Sequence, residues 1–162
     1  MKKKMTDKPR TDLEFDAFIN IDLNRAMRSL QATFQKDALN DSGLSLQEWR
    51  SLLNLARFGD SHLRELARLA SLDATHTSRA ALGLEKKGLI KRYEDTADSR
   101  RMRLAVTAKG HALVDDIWSK ALALDDTVKA KIGKTRYKAL KESLKLIMEI
   151  SESNTSTDIR AA

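Results

Sequence analysis

Residues 73–110 read DATHTSRAALGLEKKGLIKRYEDTADSRRMRLAVTAKG, and a change of period inside this stretch decides the fold. Asp73 is placed to cap a helix, and Ala80, Ala81 and Leu84 share one helical face behind it. The helix is predicted to end at Lys87. Gly88 then supplies the left-handed residue after a helix, and Leu89 can touch Leu84 as the accompanying apolar contact. Beyond Gly88 the pattern becomes that of strands, Ile90–Glu94 and Arg103–Thr107, with residues 95–101 as a polar, basic loop between them. Thr107 can cap a further helix.

Working outward, Asp60 or Ser61 can cap a short helix carrying Leu63, Leu66 and Ala67. With the helix over 73–87 it makes a helix-turn-helix, and the hairpin beyond makes a wing. Upstream, Ser45 and Glu48 form a capping-box pattern flanked by Leu44 and Trp49, opening a helix through Leu52, Leu53 and Ala56 that stops at Gly59. Before it, Phe15, Phe18, Ile19, Leu23, Ala26, Met27, Leu30 and Phe34 recur at threes and fours, marking a long amphipathic helix from Leu13 that is closed by Asn40–Gly43. Downstream, Leu113, Val114, Ile117, Trp118, Ala121, Leu124 and Val128 mark one long helix. After Gly133, Tyr137, Leu140, Leu144, Ile147 and Met148 mark another.

The expected fold class is therefore mainly α with a small β-hairpin wing. The expected organisation is a disordered basic tail over 1–11, a helical dimerisation region over 12–42 and 108–150, a winged helix-turn-helix over 43–107, and a disordered tail over 151–162.

Composition excludes several classes of function. The 162 residues suit one domain. The absence of cysteine removes disulfides, thiolate metal sites and thiol-based oxidant sensing. His62, His76 and His111 lack metal-ligand spacing, so no metal and no cofactor is expected. The charged N-terminus is not followed by an apolar run, and no stretch has the length of a membrane span; a cytoplasmic protein with no membrane partner is expected. Nor is there a nucleophile with a matched base, a glycine-rich phosphate loop or a plausible carboxylate pair, so the chain does not read as an enzyme.

The net charge is +7 and unevenly spread: residues 1–10 carry five bases against one acid, and residues 60–109 eleven against seven. A basic central segment suits a polyanion, though a solvated surface would read the same way. The side chains there are more telling. Thr75, His76, Thr77, Ser78 and Arg79 are short or hydrogen-bonding groups at a helix N-terminus, the end that enters a major groove. A run of that length exceeds what one cap requires. At the wing tip, Arg100 and Arg101 can reach into a minor groove, and Asp98 can orient the Arg100 guanidinium. The competing reading is a winged-helix protein-interaction module without specific DNA binding, and salt dependence separates the two.

The order of elements resembles the MarR family of bacterial transcription regulators. The family's wing signature, D-x-R-x-x-x-L-x-[LV]-T-x-x-G, stands here as Asp98, Arg100, Leu104, Val106, Thr107 and Gly110, preceded by Leu84-Glu85-Lys86-Lys87-Gly88-Leu89-Ile90. The resemblance implies a homodimer whose first and last two helices interlock, a palindromic duplex operator, and a ligand-released repressor. It also implies a pocket between the dimer helices and the winged domain for an anionic or aromatic effector, with Phe18, Asp22, Trp49 and Arg50 as candidate lining. Gly83 departs from the family pattern, which commonly carries a polar or charged side chain inside this helix.

Overall fold

The computed structural model describes residues 18–96, 98 and 100–158. The basic tail over 1–11 and the expected first turn from Leu13 lie outside the described residues. Helix α1 runs Ile19–Phe34, continues into a π-helical turn over Gln35–Leu39 and a 3-10 turn over Asn40–Ser42, and stops at Gly43 with φ +66°. Then come α2 (Leu46–Phe58), β1 (Ser61–His62), α3 (Leu63–Ala70), α4 (Ala74–Lys86), β2 (Ile90–Glu94), β3 (Met102–Val106), α5 (Ala108–Ile132) and α6 (Lys134–Asp158).

The start and stop signals act as the sequence implies. Ser45 accepts from the Glu48 N–H while the Glu48 carboxylate accepts from the Ser45 N–H, completing the capping box of α2. Gly88, at φ +71°, closes α4 as Leu89 N–H donates to the Leu84 carbonyl. Thr107 accepts from the Gly110 N–H to cap α5. A Cβ at Gly110 would lie 2.7 Å from Val106 Cγ1 and overlap the Leu89 carbonyl, so glycine lets the first turn of α5 close onto the strands.

Three features go beyond the pattern visible in the sequence. The wing is part of a three-stranded antiparallel sheet in the order β1-β3-β2, because Ser61 and His62 pair with Leu104 and Arg103. His62, not Asp60 or Ser61, occupies the cap position of α3, and it makes no side-chain cap bond. Finally, α6 runs to Asp158, past Ser151, with no glycine or proline to interrupt it.

The core lies where α2, α3, α4, the sheet and α5 meet. Leu39, Leu52, Leu66, Leu84, Leu104 and Ile117 are its fully buried large side chains. Every α1 side chain, by contrast, remains at least partly exposed. Ile19, Met27 and Leu30 on α1, and Leu140, Leu146, Ile147, Met148 and Ile150 on α6, are exposed apolar groups outside that core. Among the described residues no helix is long and apolar enough to cross a membrane.

Candidate nucleic-acid interface and effector cavity

Helix α4 is fixed at its start by Asp73, whose carboxylate accepts from the His76 N–H at 2.9 Å and also bonds the His76 ring. That backbone bond, then the ring, holds the Asp73 carboxyl below the usual carboxylate range. Beyond the cap, Thr75, Arg79, Leu82 and Lys86 fall at a spacing of four, three and four and are all exposed, forming one stripe. His76 is exposed beside it and Ser78 is half-buried.

Thr77 is a correction: it is fully buried, and its hydroxyl donates to the Asp73 carbonyl at 2.7 Å. Its position three, four and seven residues before Ala80, Ala81 and Leu84 puts it on the core face, so it cannot meet a base edge.

At the wing tip Asp98, Arg100 and Arg101 are exposed. Asp98 acts on the backbone rather than on the guanidinium: its carboxylate accepts from the Arg100 N–H at 3.1 Å, and its carbonyl accepts from Arg101 N–H at 2.9 Å. In place of the expected Asp98–guanidinium bond, Asp98 thus stabilises the turn that carries the exposed Arg100. The loop is closed by the Asp95 N–H donating to the Arg101 carbonyl at 2.8 Å.

Below the tip, the nearly buried Asp95 carboxylate binds His62 Nε2 at 3.1 Å and Arg103 at 3.3 Å. Arg103 also donates to the Asp60 carbonyl at 2.6 Å, and Tyr93 donates to the Asp60 carboxylate at 2.6 Å, a bond that raises the Tyr93 phenol above its usual value. These groups tie wing, β1 and the start of α3 together. Their partners are 33 and 43 residues apart along the chain, so no local pattern in the sequence reveals them.

The same juxtaposition makes a cleft of about 520 Å³ between α3 and the wing, lined by His62, Arg64, Glu65, Arg68 and Arg101. Arg64 and Arg68 were missed as site residues, although their four-residue spacing on a short helix was a readable signal. A second cleft, where the first turn of α2 faces α4, is lined by Ser45, Gln47, Glu48, His76, Arg79 and Ala80.

Gly83 is explained by close packing. A Cβ there would overlap Glu48 Oε1 and lie 3.2 Å from Glu48 Cδ. Glu48 caps α2 and receives Lys87 Nζ at 2.6 Å, so its carboxylate joins α2 to the end of α4. Burial pushes this carboxyl upward, but the Lys87 ammonium and the Ser45 N–H outweigh burial and hold it below its ordinary value of 4.5.

Of the effector lining expected from the sequence, Trp49 is placed in the core rather than on a cavity wall. It is 4% exposed, its ring centroid 6.0 Å from that of Phe34. Asp22, Arg50 and Phe18 are exposed. The cleft with the expected chemistry lies between α2 and α5. It has a volume of about 370 Å³, and Leu53, Ala56, Val114 and Trp118 give it apolar walls beside Arg57, His111 and Asp115. Arg57, on the rim of this cleft, stands two turns beyond Arg50 on the same helix.

This architecture defines a winged helix-turn-helix protein flanked by long helices. The family model for the MarR family matches residues 44–102, the helix-turn-helix and most of the wing. The HTH-type transcriptional regulator FarR of Neisseria gonorrhoeae is 29% identical over 140 residues, covering 86% of this chain and 95% of FarR. A probable transcriptional regulator from Pseudomonas aeruginosa superposes with a TM-score of 0.73 at 26% identity, covering 81% of this chain and 97% of that one. The structure of NadR in complex with 4-hydroxyphenylacetate superposes with a TM-score of 0.66 at 26% identity, covering 88% and 95%. Over residues 44–102 the chain is thus similar to the MarR family, and the relatives and structural neighbours named here are transcription regulators.

Proposed function

We propose that this regulator is a homodimeric, sequence-specific duplex-DNA-binding repressor, released from its operator by a small aromatic carboxylate. The observation that carries the DNA reading is the division of α4 into a core face and an exposed stripe of Thr75, Arg79, Leu82 and Lys86. A helix of that kind fits the major groove, and the exposed Arg100 and Arg101 of the wing fit the neighbouring minor groove. Arg64 and Arg68 add phosphate contacts beside the wing. The exposed apolar rows of α1 and α6 supply a dimer surface, and two-fold symmetry calls for a palindromic operator.

Arg57 and His111 suit a carboxylate, and Trp118 suits an aromatic ring. The related NadR was captured with 4-hydroxyphenylacetate, an acid of this class.

The test is selection of bound duplexes from random DNA, repeated with 4-hydroxyphenylacetate present. The expected result is enrichment of a palindrome whose binding weakens steeply with salt, loss of enrichment with the acid, and no such loss in Arg57→Ala. Recovery of random sequence at moderate salt would overturn the DNA reading in favour of a protein-docking role.

A further inference from the structure

The exposed stripe of α4 contains one side chain that folding does not use. Leu82 is 47% exposed and stands outside the core cluster, whereas Ala81 and Leu84 beside it are fully buried. Its neighbours on the stripe are Arg79 three residues before, Lys86 four residues after and Thr75 seven before. A lone exposed leucine is ordinary on a protein surface and asks for no explanation. A leucine in the middle of the one helical face that is otherwise polar or cationic is a different case, since that face is the one offered to the major groove.

We infer that Leu82 is a specificity-determining residue that reads the C5 methyl group of a thymine in each half-site. The inference rests on the DNA reading above and extends it to a particular base. Leucine has neither donor nor acceptor, so in a major groove it can distinguish bases only by apolar contact, and the thymine methyl is the one apolar group displayed there. The contact also discriminates by exclusion: a cytosine amino group or a purine N7 pressed against this side chain would lose its bond to water without replacement.

The experiment uses the full-length protein and the palindrome it selects. Each thymine is replaced in turn, in both half-sites, by deoxyuridine, which keeps the pairing and removes only the methyl group. The expected result is one symmetric pair of positions at which replacement weakens binding by about fourfold per half-site, the value of one buried methyl-sized group. In Leu82→Ala the same replacement should change affinity less than twofold, with thymine preference lost at that position alone when selection is repeated. Because Leu82 is exposed, the variant should melt with the wild type, and a melt confirms that it is folded.

Uniform tolerance of deoxyuridine by the wild-type protein overturns the inference while leaving sequence-specific binding intact. A uracil penalty that persists undiminished in Leu82→Ala overturns it too, by assigning the methyl contact to another residue. Failure to select any sequence defeats the DNA reading itself, and this inference with it.

Discussion

Gly83 shows how far a single residue can be read from sequence. A glycine inside a helix is an anomaly, because it costs about 1 kcal/mol relative to alanine. The sequence shows the anomaly but not its cause, which sits 35 positions earlier in the chain as the Glu48 carboxylate. The usual expectation for Gly83→Ala is therefore reversed. Alanine should lower thermal stability by about 1–2 kcal/mol, since overpacking a held side chain outweighs the gain in helix propensity. Calorimetric melts check this, and in a Glu48→Ala background the same substitution should raise the melting temperature. A rise in the wild-type background would mean that the carboxylate yields freely. Thr77 carries the complementary lesson. Its residue type fits a base contact, but its position places it on the core face, and a run of polar letters conceals that difference unless helical phase is followed residue by residue.

At the scale of elements, most of the winged domain was legible. The strands, the caps at Ser45, Asp73 and Thr107, and the Gly88 terminus are local events written in adjacent residues. Strand β1 was not legible: two residues are too few to show a period, and its existence depends on pairing with β3 some forty positions later. That pairing brings α3 against the wing and gathers Arg64, Arg68 and Arg101 around one cleft. We expect Arg64→Ala and Arg68→Ala each to weaken binding to all duplexes about equally and to reduce the slope of log affinity against log salt by about one. Arg100→Ala, removing the side chain proposed to enter the minor groove, should instead cut affinity for the selected operator by at least about tenfold while sparing the fold. Fluorescence-anisotropy titrations at several salt concentrations distinguish the two patterns. Equal losses on operator and random DNA for Arg100→Ala would reduce it to a further phosphate contact.

At the scale of the molecule, the long helices were visible as periodic stripes, but the use of those stripes is not settled by periodicity. The same spacing serves a core and an interface. Ile117 is fully buried within the protomer, whereas Ile147 and Ile150 are exposed on α6, as the proposed dimer surface requires. Placing an aspartate at Ile147 should therefore dissociate the homodimer with little effect on the winged domain, and operator affinity should fall with it. Sedimentation with parallel binding titrations tests this. A stable monomer that still binds tightly would remove the dependence on paired half-sites. The apolar cleft between α2 and α5 was not legible for a related reason. Trp49 has the composition of a ligand wall, but it is packed against Phe34, and which aromatic faces a cavity is decided by helices distant in sequence.

The Glu48–Gly83 contact also bears on how this regulator could acquire a new operator. Retargeting usually proceeds by exchanging side chains along the reading helix, one position at a time. Here one position of α4 is withdrawn from that alphabet, because any side chain at 83 displaces the acid that caps α2 and grips Lys87. The adjustable letters are Thr75, Arg79, Leu82 and Lys86. A library that varies those four and keeps glycine at 83 should retain folded members, whereas one that includes 83 loses much of its diversity before any DNA is offered.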